Sequence, residues 1–97
     1  MTKAEAREFL LQVAARKEDI IRIQRESGDL FCFGVFDERE IHISQSRWPE
    51  FIAAMQPVIT YDPSFSKKHT EARFTEELFG HKYRVFTLFE KGGKNNG

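Results

Sequence analysis

A single cysteine, Cys32, is all the thiol chemistry in this chain of 97 residues. One cysteine excludes an internal disulfide framework and any zinc site built from cysteines alone. It lies in the apolar run Leu30-Phe31-Cys32-Phe33-Gly34-Val35-Phe36, with no base beside it, and reads as a small buried hydrophobe rather than a reactive thiol. Long apolar runs are also missing. Nothing approaches the roughly 18 residues of a membrane span, no signal-peptide apolar region is present, and the first residues carry Glu5 and Glu8, unlike a mitochondrial presequence. These absences lead us to expect a cytoplasmic protein with no membrane partner.

Charge of one sign is lacking as well: 15 Lys and Arg balance 15 Asp and Glu. Residues 1–50 carry 8 bases and 10 acids, residues 51–97 carry 7 bases and 5 acids, so the halves stand at −2 and +2. Neither is basic enough for charge alone to imply nucleic-acid binding. The neutral total leaves little self-repulsion to oppose association.

Assembled chemistry is scarce too. Gly28, Gly34 and Gly80 are isolated, so no glycine-rich phosphate loop exists. Ser44, Ser46 and Ser64 lack a G-x-S-x-G elbow. His42, His69 and His81 show no metal-ligand spacing, and we expect neither metal nor cofactor. His42-Ile43-Ser44 resembles half of the two-histidine phosphoesterase signature, but those enzymes need two such motifs facing one phosphate. The second candidate, His69-Thr70, has adjacent residues, which a strand points to opposite faces. Carboxylate pairs such as Glu38/Glu40 and Glu76-Glu77 sit in charged stretches, where general acid–base work would require burial. No nucleophile, base and orienting group coincide, and we expect no catalytic residues.

What is present is a fold. Apolar residues make up 40% of the chain, and ten are phenylalanine. That composition predicts one domain over residues 1–91 with a flexible tail at 92–97. Thr2 and Glu5 have capping-box spacing, and Ala6, Phe9, Leu10, Val13 and Ala14 recur at helical intervals, predicting a helix from about Thr2 to Glu18. The β-branched stretch at 20–26 predicts a strand; 30–36 predicts a second and 41–44 a third, joined as an antiparallel meander. Ser46 is placed to cap a second helix with Pro49 in its first turn. Trp48, Phe51, Ile52 and Met55 lie on one face, and Pro57 ends it. Val58-Ile59-Thr60-Tyr61 predicts a short strand. Residues 69–77 and 82–89 predict a hairpin around 78–81, with a helix over 70–79 as the alternative. The expected fold class is therefore α+β, an antiparallel sheet with two helices packed on one face, in the order α-β-β-β-α-β-β-β.

Strands 30–36 and 82–89 are apolar on both faces: Phe31, Phe33 and Val35 alternate with Leu30, Cys32 and Phe36. Two helices cover one face of a sheet, so the other requires its own curl, a second subunit or a partner. This surplus points to a protein partner or a homodimer, with Phe31, Phe33, Val35, Arg73 and Arg84 as partner-binding residues. His69, Arg73 and Arg84 are the candidates for a small ligand or nucleotide held beside aromatics. Basic groups interleaved with Phe74 and Phe86 on the hairpin leave nucleic acid as a further possible partner. Cross-strand ion pairing is the alternative account of the same charges.

The stretches Glu40-Ile41-His42-Ile43-Ser44, Trp48-Pro49-Glu50-Phe51 and Tyr83-Arg84-Val85-Phe86-Thr87-Leu88-Phe89, about half the chain, resemble small uncharacterised proteins of phages and prophages. That resemblance carries no catalytic residues. It implies a stoichiometric inhibitor of a host defence complex, such as a CRISPR effector. The function expected is thus a non-enzymatic binding module, with an oligomeric sequestering protein and a nucleic-acid-binding domain as alternatives.

Overall fold

The capping box closes as its spacing requires. Thr2 N–H donates to Glu5 Oε1 at 2.8 Å and Glu5 N–H to Thr2 Oγ1 at 3.1 Å. The bond from the Thr2 backbone holds the Glu5 carboxyl below its ordinary range. The computed structural model describes residues 1–27 and 39–91. Within them the order is α1 (Lys3–Ser27), β1 (Glu40–His42), α2 (Trp48–Met55), β2 (Thr60–Asp62), β3 (His69–Leu78) and β4 (His81–Glu90). The described residues form an α+β fold of two helices and a four-stranded sheet. The strand expected at 30–36 and the tail at 92–97 lie outside the described residues.

The strand expected at 20–26 is instead the last third of α1. Isoleucine costs only a few tenths of a kcal/mol in a helix relative to the best formers, so tertiary context overrides it. Ile21 extends the buried stripe of Ala6, Leu10 and Ala14 at helical spacing. Arg22 bridges to Asp19 and Glu26, one turn away on either side, which a strand would not allow.

Helix α2 starts one residue later than its expected cap. Arg47 is the N-cap without a side-chain capping bond, and among the described residues the Ser46 hydroxyl meets only that of Ser44, at 3.4 Å. Pro49 occupies the first turn, where a missing N–H is harmless. Gln56, in the left-handed region at φ 50°, closes the helix through its N–H to Ile52 O, and Pro57 follows.

The sheet order is β1-β4-β3-β2. β3 and β4 form the expected hairpin, with Leu78 opposite His81 and His69 opposite Glu90. The helical alternative over 70–79 is excluded. The loop is only Phe79-Gly80, both at positive φ, as a two-residue hairpin requires. The expectation of a purely antiparallel sheet needs correction: β1 runs parallel to β4, with Ile41 opposite Val85. The connection through α2, β2 and β3 supplies the long crossover that parallel neighbours demand.

Register fixes the faces. Ala72, Phe74, Glu76 and Leu78 of β3 share one with Tyr83, Val85 and Thr87 of β4 and Ile41 of β1. Both helices contact this face. Trp48 of α2 lies against Phe74, ring centroids 5.8 Å apart, and α1 bonds to Glu76 and Tyr83. Phe9 and Phe51 meet edge to face at 5.5 Å, joining the helices to each other.

Candidate interaction surface

The second face of the sheet carries His69, Glu71, Arg73, Thr75 and Glu77 of β3, Lys82, Arg84, Phe86 and Leu88 of β4, Glu40 and His42 of β1, and Thr60 and Asp62 of β2. Its centre is a chain of ion pairs crossing all four strands. Arg73 Nη1 lies 2.5 Å from Glu71 Oε1 and 3.8 Å from Asp62 Oδ2. Arg84 Nη1 lies 2.7 Å from Glu71 Oε2, and Arg84 Nη2 reaches Glu40. Glu71 is the keystone: its side chain is 1% exposed, against 34% for Arg73 and 35% for Arg84. Ser64 holds the far end, donating hydroxyl and N–H to Asp62 Oδ1 at 2.7 and 3.0 Å, which keeps the Asp62 carboxyl below its usual range.

Three carboxylates thus serve two guanidiniums. Arg73 and Arg84, expected from sequence to meet a partner or an anion, are brought together but face carboxylates of their own sheet. A phosphate arriving here would have to displace Glu71, Glu40 or Asp62 from charge-assisted bonds. His69 shares this face, two positions before Glu71, and its backbone N–H donates to Ser66 Oγ at 3.0 Å. Among the described residues its ring forms no ion pair with this network.

The aromatics interleaved with these charges are likewise engaged. Phe86 is 8% exposed; the Arg84 guanidinium sits 4.8 Å from its centroid, and the His42 ring stacks on it at 4.6 Å and 18°. The second apolar face expected on β4 is therefore real in register but covered by polar side chains, and Leu88 beside it is half-buried. Phe31, Phe33 and Val35 lie outside the described residues.

Exposed apolar side chains occur elsewhere, where sequence reasoning did not look. Val58 is 91% exposed, Tyr61 61% and Phe65 42%, all in the segment around edge strand β2. Beside them a cleft of about 390 Å³ opens where β2 stops short of β3's full length, lined by Lys3, Met55, Val58, Thr60, Phe74 and Thr75. The signal available from sequence was the brevity of 58–61 against the ten residues of the following strand.

A second polar cluster ties α1 to the helix-covered face. Arg39 donates through Nε and Nη2 to the two Glu18 oxygens at 3.0 and 3.2 Å. The fully buried Tyr83 donates its hydroxyl to Glu18 Oε2 at 2.6 Å and lies 3.2 Å from Ala14 O. His81 Nε2 stands 3.9 Å from Glu18 Oε1. The Arg39 guanidinium and the Tyr83 hydroxyl hold the Glu18 carboxyl below its ordinary range. Burial, followed by the bond to Glu18, pushes the Tyr83 phenol well above its ordinary range. In the unfolded chain that phenol ionises near pH ~10. Above this pH the unfolded state binds fewer protons than the native one, so stability falls as pH rises. We expect denaturant midpoints to drop steeply above pH ~10 in the wild type and less steeply in Tyr83→Phe, which lacks this buried phenol. Equal slopes in the two proteins would contradict the assignment.

Among the described residues no group of three or more His, Cys, Asp or Glu side chains is arranged to hold a metal ion, and no helix is long and apolar enough to cross a membrane. No family model, curated protein or solved structure matches the chain significantly. Fold and surface together define an α+β domain with a self-neutralised sheet face and an apolar edge.

Proposed function

We propose that this protein is a non-enzymatic protein-binding module. The observation that carries the reading is the exposure of Val58, Tyr61 and Phe65, one before, one within and one after the short edge strand β2. Edge strands are normally blunted with charge or cover, and clustered apolar side chains on one mark a contact surface. The saturated arginines support the same choice, since the nucleotide-sequestering and nucleic-acid readings both drew on Arg73 and Arg84, leaving only His69 of the proposed ligand anchors outside the network. The finer form of the proposal follows from the resemblance to phage proteins: a stoichiometric antagonist of a host complex, such as a CRISPR effector, acting as a homodimer.

The test is a triple variant, Val58→Asp, Tyr61→Ser, Phe65→Ser. Its side chains are exposed, so thermal stability should change by less than about 1 kcal/mol. Affinity capture from a bacterial lysate with quantitative mass spectrometry should show a stoichiometric component retained by wild type and lost by the variant. Identical captures would remove the reading's support. Light scattering of the wild type should give twice the 11.4 kDa chain mass; a monomer at all concentrations would overturn the homodimer.

A further inference from the structure

Strand β3 is ten residues long, but β2 pairs only with Glu71, Ala72 and Arg73. In a two-residue hairpin the pair flanking the loop exchanges both of its hydrogen bonds, and bonded pairs then recur at every second position. Leu78 and His81 flank the loop here, so Leu78, Glu76, Phe74, Ala72 and Thr70 direct N–H and C=O toward β4. The odd-numbered residues direct theirs outward. β2 satisfies Glu71 and Arg73, whose partners are Asp62 and Thr60. Thr75 and Glu77 remain, both exposed. Arg7 Nη2 donates to Glu77 O at 3.4 Å. The N–H and C=O of Thr75 and the N–H of Glu77 have no strand partner among the described residues.

Thr75 lines the 390 Å³ cleft, whose wall also carries Met55, Val58 and Phe74 and which Lys3 borders. Lys3 forms no ion pair among the described residues, whereas Glu76 on the same wall is already bound to Arg7 and Arg73 to Glu71. The cleft thus offers the outward N–H and C=O of Thr75, apolar side chains of Met55, Val58 and Phe74 beside them, and the Lys3 ammonium with no ion-pair partner among the described residues. We propose that it accepts an extended segment of a partner protein, added to the outer edge of β3 in line with β2, with an acidic side chain of that segment on Lys3. Main-chain bonds supply the register and alternate side chains the selectivity, as in other edge additions. This rests on the reading of the protein as a binding module and specifies what it binds.

The experiment is selection of a displayed library of random linear heptapeptides on the full chain, followed by affinity measurement on three variants. Thr75→Pro removes an outward N–H and no ladder bond, which an edge strand tolerates. Lys3→Glu reverses the rim charge. Tyr61→Ser/Phe65→Ser removes apolar side chains outside the cleft wall. We expect enriched peptides to carry Asp or Glu at a fixed position. Affinity should fall about tenfold or more on Thr75→Pro and on Lys3→Glu, with Lys or Arg at that position restoring binding to the latter. N-methylation of alternate peptide amides should abolish binding, which gives the same answer should Thr75→Pro fail to fold. Peptides that bind Thr75→Pro and Lys3→Glu as they bind wild type, but lose affinity for Tyr61→Ser/Phe65→Ser, would overturn this inference and leave the binding module standing. An absence of any enrichment would overturn both.

Discussion

Glu71→Ala should be the most damaging single change on the sheet's charged face, lowering stability by about 3–5 kcal/mol, the cost of breaking a buried ion pair from one side. The carboxylate is almost wholly enclosed and joins two guanidiniums at 2.5 and 2.7 Å. Its loss leaves Arg73 and Arg84 each one carboxylate short while both remain two-thirds buried. For a domain of this size the thermal midpoint should fall by at least about 12 °C, at ~4–8 °C per kcal/mol. Glu71→Gln keeps the shape and one acceptor oxygen, and should lose less. A thermal scan placing Glu71→Ala within about 1 kcal/mol of wild type would mean the network is a surface arrangement of the kind that contributes little.

Trp48→Ala should cost a similar amount, about 3–5 kcal/mol, for a different reason. Helix α2 has eight residues, too few to be stable alone. It persists because Trp48, Phe51 and Met55 are buried together, with Trp48 against Phe74 of β3. Emptying the Trp48 site removes the largest of these side chains and leaves a cavity the short helix cannot refill. Natural domains hold only ~5–15 kcal/mol in total, so much of the margin would disappear. Because Trp48 is the chain's one tryptophan, its fluorescence in the wild type reports this contact directly, and the variant is followed by circular dichroism. Trp48→Phe should recover most of the loss. Equal stability of Trp48→Ala and wild type would show that α2 is held elsewhere.

Local chemistry in the sequence was sufficient wherever an element's signals were its own. The Thr2–Glu5 box, the Trp48–Met55 face with Pro49 and Pro57 at its ends, and the hairpin with its two-sided alternation all follow from residues near one another. Ile20-Ile21-Arg22-Ile23 failed because β-branching is a weak preference, and a helix already about five turns long extends through it once Ile21 lands on the buried stripe. Parallel pairing of β1 with β4 could not be read at all, since it depends on which strand arrives beside which across 44 residues. The candidate surface divides in the same way. Placing His69, Arg73 and Arg84 on one face needs only strand alternation. That Glu71 occupies the space between the arginines depends on the register of β3 against β4, and it turns two apparent anion-binding residues into structural ones.

One of the two inner strands of the sheet, β4, is also the latest in sequence among the described residues. β4 separates β1 from β3, so on a ribosome β1 emerges long before the neighbour it needs. The tight turn at Phe79-Gly80 lets β3 and β4 zip on their own within microseconds, whereas β1 must close a far longer loop to join them. Assembly of the sheet is therefore held back until translation has passed Glu90. A nascent chain arrested before that point has α2 but no completed sheet on which to lay the apolar stripe of α1, which makes chaperone demand during synthesis a consequence of strand order.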